Sequence, residues 1–453
     1  MKKLITLLLT VVMTVACCFG LAACGGEGEK ESVGEVQIPA VASQNVNQFD
    51  NVEIASDFKI GLITLHGESS TYDKNFIDAF KKACTALGLT SSQYIIRVDV
   101  PEGEACLTTA QDLVDQGCKA IFADSFGHED FLIEAAKEFP EIQFFHATGT
   151  KAHTEELSNF HNAFASIYEG RYLAGVAAGL KLKEMDEKGL IKDSNKDADG
   201  NVKVGYVGAW TYAEVISGFT SWYLGVKSEY PNVVMEVQFT GSWYDETAEK
   251  TAAETLIKRG AALLSQHADS MGAPTACEKA GIPDVSYNGS TIKACPNTFI
   301  ISSKIDWTYY FKWIIASVGG NAEAVPTDFA GTIDDGCMVA LTAINGDVMA
   351  EGTVERLVEV RNKLLDGSLK VFDCSKFTIA GKAVASYLAD VDSDEAFEHE
   401  TEAIKTVDGI TYFAESEFRS APYFDAQIDG ITYLNAVYGT DDDGKPIFIT
   451  FED

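Results

Sequence analysis

The sequence predicts an α/β protein of two lobes, each lobe a doubly wound parallel sheet. Three observations carry this: short apolar runs alternate with amphipathic helical stretches, the runs fall into two separate series, and a Gly- and Ala-rich helical stretch divides the series. In the first series, strand-like runs at 59–65, 94–98, 120–123 and 142–145 are each short and apolar, as strands buried on both faces are. The first helix is marked by Phe76, Ala79, Phe80, Ala83, Cys84 and Leu87 at the 3.6 period, with Gly88 as its stop. Phe131, Leu132, Ala135, Ala136 and Phe139 repeat the pattern before Pro140. The dividing stretch, 169–182, carries Gly170, Gly175 and Gly179, so its helix is expected to lie close against a neighbour; bounded by Glu169, Arg171, Lys181 and Lys183, it is too short to cross a membrane.

The second series has strand-like runs at 202–207, 233–237, 261–264 and 282–287, with helices at 212–229, 246–258 and 271–280 between them. Residues 183–201 are charged and aperiodic, which reads as a surface loop. Asn195, Asp197, Asp199 and Gly200 there look like the start of a calcium loop, but Tyr206 stands where the twelfth position needs a bidentate carboxylate. Beyond Gly319 the pattern is less regular, with a strand expected at 337–341, a helix at 354–365 and an acidic stretch at 392–402.

Ahead of the first strand, a basic Met1-Lys2-Lys3 start leads into an apolar run that closes on Leu21-Ala22-Ala23-Cys24. That layout is a secretion signal over 1–23, with Cys24 as the lipid-bearing first residue of the mature chain. Two or three acyl chains anchor a protein stably. Residues 24–56, rich in Gly, Glu, Ser, Asn and Gln, are expected to form a flexible tether, which places the protein lipid-anchored on the extracytoplasmic face of the cell membrane.

The 453 residues carry 35 Lys plus Arg against 68 Asp plus Glu, a net charge of -33, and 46% hydrophobic content. The composition is that of a folded exported protein; so acidic a surface repels nucleic acid and anionic head groups and excludes nucleic acid as a partner. Of the ten cysteines, Cys17 and Cys18 leave with the signal, and Cys84, Cys106, Cys118, Cys277, Cys295, Cys337 and Cys374 show no metal-ligand spacing. Most fall in apolar patterns and read as small core residues. No phosphate-binding loop, nucleophile elbow or H-E-x-x-H is present, so no metal or other cofactor is implied and no catalytic residues are assigned.

In parallel α/β sheets, ligands sit at the carboxyl ends of the strands. Here those turns bring His66, Asp73, Lys74, Asn75 and Phe76, then Ser125 and Phe126, then Trp210, then Trp243, then His267 and Asp269, then Asn288. Aromatic faces beside Asp, Asn, Ser and His suit a flat heteroaromatic ring held by edge hydrogen bonds. Phe126, Trp210 and Trp243 fall in turns instead of periodic runs, whereas Phe76 also lies on the apolar stripe of its helix and Asp73 also suits a helix N-cap.

Asp73-Lys74-Asn75-Phe76, Tyr168-Glu169-Gly170-Arg171-Tyr172-Leu173-Ala174-Gly175 and Gly241-Ser242-Trp243-Tyr244-Asp245 together resemble the basic membrane protein family of substrate-binding lipoproteins, ABC-importer receptors that include purine nucleoside receptors. The resemblance runs from about Lys59 to Tyr310, with a weaker continuation at Ser420-Ala421-Pro422-Tyr423-Phe424-Asp425. It implies the periplasmic-binding-protein type I fold, with an N-lobe of 57–160 plus 290–328 and a C-lobe of 161–289 plus 329–453. It also implies a nucleoside-like ligand between the lobes, Phe76 or Phe126 stacking on one face and Trp210 or Trp243 on the other. His66 stands where many relatives have Asp. A monomer that hands its ligand to an ABC permease is expected, with no chemistry on the ligand. The alternatives are a ligand sensor for a membrane signalling protein, a receptor for riboflavin or a sugar, or an extracellular nucleoside-processing enzyme using His267 and Asp269 as an acid/base pair.

Overall fold

The computed structural model describes residues 34–41, 47–335, 338–391, 399–441 and 444–451. The 1–23 signal stretch and Cys24 lie outside the described residues, as does Cys337.

Two sheets organise the chain. In the first, six strands lie parallel in the spatial order Asp328–Gly331, Phe160–Ala165, Gln143–Ala147, Ala120–Ala123, Ile60–Ile63, Tyr94–Arg97. The second runs Val339–Leu341, Phe299–Ile305, Asp284–Tyr287, Leu264–Gln266, Val202–Gly208, Val233–Phe239, Ile431–Tyr433; Val339–Leu341 is antiparallel on one edge and the rest are parallel. Helices such as Thr71–Ala86 and Ala213–Glu229 return the chain between parallel strands, as the pairing demands.

Strand membership moves the expected lobe boundaries. Phe160–Ala165 belongs whole to the first sheet, so the chain first crosses after Ala165 and not at 160. Phe299–Ile305, expected in the N-lobe, pairs with Asp284–Tyr287 in the second sheet, and the return crossing follows it. Helix Thr308–Gly319 then packs on the first lobe, Phe311 lying edge-on to Phe80 at 5.2 Å between ring centres. A third crossing follows Gly331. These strands escape the apolar-run pattern because His161, Asn162, Ser302, Ser303 and Lys304 interrupt them, though all but Lys304 are buried.

The Gly-rich stretch forms the helix Ile167–Glu187, and its close packing is found. A β-carbon at Gly175 would overlap the Trp222 carbonyl oxygen, and one at Gly225 the Tyr172 carbonyl oxygen, so the two helices meet backbone to backbone.

The expected tether is not free along its whole length. Glu35–Val36 pairs antiparallel with Ile344–Asn345, Arg361 donates to the Pro39 carbonyl at 2.6 Å, and the Phe49 ring is buried against Tyr309 and Trp313. A polar composition hid these few anchoring apolar residues. Cys84, Cys106, Cys118, Cys277, Cys295 and Cys374 are free and buried, as small core residues are, and burial lifts the thiols of Cys84, Cys106 and Cys295 to about 12. Among the described residues, no helix is long and apolar enough to cross a membrane.

Candidate ligand-binding site

The carboxyl ends of both sheets face one another across a cavity of about 590 Å³. From the first lobe come Leu65 and His66 after the first strand, Tyr72 and Asp73 in the first turn of the following helix, Ser125 and Phe126, and then Thr148 and Thr150. The second lobe supplies Thr211, Tyr212 and Glu214, then Trp243, His267 and Asp269, and Tyr287.

The first-lobe floor is built on a helix start. Ser70 is the N-cap: its hydroxyl accepts from the Asp73 amide at 3.2 Å and donates to Asp73 Oδ2 at 2.5 Å. Asp73 is thus the third residue of the helix, not its cap; its Oδ1 accepts from the His66 amide at 2.7 Å, and His66 Nδ1 lies 3.5 Å from Oδ2. The buried Asp124 is held by the Leu65 amide at 3.2 Å. Burial raises its carboxyl well above the usual range, and Asp73 beside it raises it further. Tyr72 reaches across to donate to the Asp124 carbonyl at 2.7 Å.

The second-lobe floor is a chain of polar contacts leading to a fully buried Arg171. Glu214 Oε2 lies 2.6 Å from His267 Nε2, and His267 Nδ1 lies 3.3 Å from the Tyr206 hydroxyl, which Arg171 Nη2 also contacts. Arg171 donates on to the Gln266 carbonyl at 3.0 Å, and its guanidinium sits 4.5 Å from the centre of the Tyr287 ring. Burial, first of all, raises the Asp269 carboxyl well above its ordinary value, with Asp73, Glu249 and Glu214 adding like charge.

The lobes touch over the cavity. The Phe126 ring meets Tyr212 at 5.8 Å, His66 meets Tyr244 at 5.2 Å, and the Thr71 amide donates to the Asp269 carbonyl at 3.1 Å. Tyr212 is backed by Trp210, stacked at 5.7 Å and 8°, and flanked by Trp243 at 6.2 Å.

Residues far down the chain close the remaining side: Asp390, Arg419, Asp425, Gln427, Tyr438 and Phe451. Glu415 anchors this wall, its Oε2 accepting from the amides of Tyr423 at 3.2 Å and Phe424 at 3.0 Å. Burial lifts the Glu415 carboxyl to about 7.

Of the residues expected at the site, His66, Asp73, Ser125, Phe126, Trp243, His267 and Asp269 line this cavity. Phe76 does not: it is fully buried on the helix's apolar stripe, stacked on Trp307 at 4.5 Å. Trp210 sits one layer behind Tyr212, partly buried against the core. Lys74, Asn75 and Asn288 open on a second cavity of about 520 Å³. There Lys74 pairs with Asp78 at 2.8 Å, Asn75 donates to the Ile305 carbonyl, and Asn288 braces Asp269 Oδ1 from behind at 3.4 Å. Sequence reasoning missed Tyr72, Tyr212, Glu214 and Tyr287. Tyr212 and Glu214 adjoin the turn that flagged Trp210, so the turn was visible but not the direction each side chain takes. Among the described residues no group of three or more His, Cys, Asp or Glu is placed to hold a metal ion.

Residues 62–365 match the family model described as ABC transporter substrate-binding protein, PnrA-like. The chain belongs to this family. A purine-binding protein of Brucella abortus is 32% identical over 213 residues, 47% of this chain and 55% of that protein. A putative ABC transporter glucose-binding protein of Haloferax volcanii is 28% identical over 258 residues, 57% of this chain and 60% of that protein. The chain therefore spans little more than half the length of these curated relatives. A solute-binding protein of an ABC transporter system from Conexibacter woesei superposes with a TM-score of 0.52 at 21% identity, covering 69% of this chain and 98% of that one. The fold is the periplasmic-binding-protein type I arrangement expected for the family.

Proposed function

We propose that the protein captures a purine nucleoside between its lobes and delivers it to an ABC permease. The observation that carries this reading is the placement of aromatic rings from both lobes, Phe126 from one and Tyr212 and Trp243 from the other, around a cavity edged with carboxylates and hydroxyls. A purine has two apolar faces and a rim of donors and acceptors, so rings from opposite lobes stack on it while Ser125, Thr150, Glu214 and Asp269 meet its rim and the ribose. Its volume of about 590 Å³ suits a ligand of that size. Asp73, Glu214, Asp390 and Asp425 outnumber Arg419 among the acidic and basic lining groups, which favours an uncharged nucleoside over a phosphorylated one. The Brucella relative's name supports the purine.

A sugar is the second reading, favoured by the Haloferax relative's name. Contacts such as Thr71 to Asp269, made only when the lobes close, couple ligand capture to a hinge at the three crossings.

The same proposal gives the protein a lipid anchor at Cys24 on the extracytoplasmic face, supported by the Leu21-Ala22-Ala23-Cys24 pattern. The test is a thermal-shift panel of purine nucleosides, free bases, riboflavin and sugars. Stabilisation by a purine nucleoside is the expected result; stabilisation by glucose alone would replace the ligand.

A further inference from the structure

The family match ends at residue 365, yet Asp390, Arg419, Asp425 and Gln427 line the cavity. The segment that carries them is fastened to both lobes. The Ser420 amide donates to Asp328 Oδ2, on the edge strand of the first sheet, at 2.7 Å, and Ile431–Tyr433 joins the second sheet beside Val233–Phe239. So fastened, it presents its side chains as fixed groups.

Arg419 is held by its own backbone surroundings. Nη1 donates to the Asp390 carbonyl at 3.0 Å and Nε to the Ala421 carbonyl at 3.3 Å, which leaves Nη2 without a partner among the described residues. It is the one Lys or Arg among the described residues that line the cavity. Asp425 is oriented by the Tyr387 hydroxyl, which donates to its Oδ1, and its Oδ2 lies 3.5 Å from His399 Nε2. Gln427 donates from Nε2 to the Ile431 carbonyl at 2.9 Å, leaving its amide oxygen toward no other described partner.

A guanidinium is a donor only, and an ionised carboxylate an acceptor only. Together they read a ligand edge that carries an acceptor beside a donor. Building on the purine reading above, we propose that this C-terminal wall sets specificity within that class. Arg419 donates to the ring carbonyl and Asp425 accepts from the neighbouring ring N–H, so 6-oxopurine nucleosides are selected over 6-aminopurine ones. On that edge inosine and guanosine offer a carbonyl and an N–H, whereas adenosine offers an amino group that would meet the guanidinium donor to donor.

The test is isothermal titration of the full chain with inosine, guanosine, adenosine and inosine 5′-monophosphate, in the natural protein and in Arg419→Lys, Arg419→Met and Asp425→Asn. The natural protein should prefer inosine and guanosine to adenosine by roughly tenfold. Arg419→Met should erase that preference, with Arg419→Lys retaining part of it. Asp425→Asn, at a half-exposed side chain, should shift the preference toward adenosine and keeps the test alive if Arg419→Met lowers the melting temperature sharply. Binding of nucleosides with a preference unchanged in these variants, or weakened equally for all, overturns the wall alone. Tightest binding by the monophosphate would assign Arg419 to an anion and overturn it likewise. No nucleoside binding in the natural protein overturns the purine reading and the wall with it.

Discussion

Glu415→Gln is the substitution whose consequence follows most directly from the structure. The carboxyl is fully buried, accepts two backbone amides of the 420–425 segment, and is raised by burial from 4.5 to about 7. A carboxyl whose folded value lies above its unfolded one binds more protons when folded, so its contribution favours the fold below pH 4.5 and is lost as pH rises through 7. Integrated between pH 5 and pH 8, the loss is about 2.5 kcal/mol. Glutamine keeps an oxygen for the two amides and does not titrate. Glu169, Glu249 and Asp284, also raised by burial to about 7, push the same way, while His128 and His146, lowered by burial to about 4, cost stability as pH falls below 6.5. The raw pH profile therefore mixes both signs, and the difference between variant and natural protein isolates Glu415. At roughly 1 °C per kcal/mol for a chain this long, the melting temperature of Glu415→Gln should gain about 2–3 °C on the natural protein between pH 5 and pH 8 by differential scanning calorimetry. A difference that stays flat across that range would mean that Glu415 does not titrate between the folded and unfolded states as its burial requires.

Trp243→Ala removes one aromatic wall and should weaken nucleoside binding by roughly ten- to a hundredfold, read by isothermal titration, through lost stacking and burial. Gly175→Ala, where a β-carbon overlaps the Trp222 carbonyl oxygen, should cost about 1–3 kcal/mol in urea unfolding; an unchanged midpoint would mean the two helices part easily. Cys24→Ala should release the protein from the membrane fraction and impair uptake while leaving ligand affinity in solution unchanged, and an altered affinity would contradict the separation of anchor from site.

The strand series, the first helix and the tight glycine helix were legible because each reduces to a local pattern: apolar runs, the 3.6 period, and small residues where backbones meet. Strands Phe160–Ala165 and Phe299–Ile305 were not, because buried His161, Asn162, Ser302 and Ser303 break the apolar run; His161 and Asn162 are satisfied by the distant partners Gln143 and Glu129, and the Ser302 hydroxyl by the next carbonyl along its own strand. At the site, strand-end turns located His66, Phe126, Trp243, His267 and Asp269, since topology alone puts such turns together. Asn75 and Asn288 face the second cavity instead: Asn75 lies within the helix Thr71–Ala86 and bonds the Ile305 carbonyl, and Asn288 follows the strand Asp284–Tyr287 behind Asp269, side-chain directions that position near a strand end does not give. Arg419 and Asp425 come from a segment with short hairpins and little periodicity, whose place at the cavity depends on contacts such as Ser420 to Asp328, far apart in sequence.

Equilibrium titration of the full chain against guanosine, guanosine 5′-monophosphate and glucose asks whether this cleft binds an uncharged purine nucleoside. Saturable one-to-one binding of guanosine, with the monophosphate far weaker and glucose silent, is the predicted result. Binding of glucose or of the monophosphate with guanosine silent would contradict it.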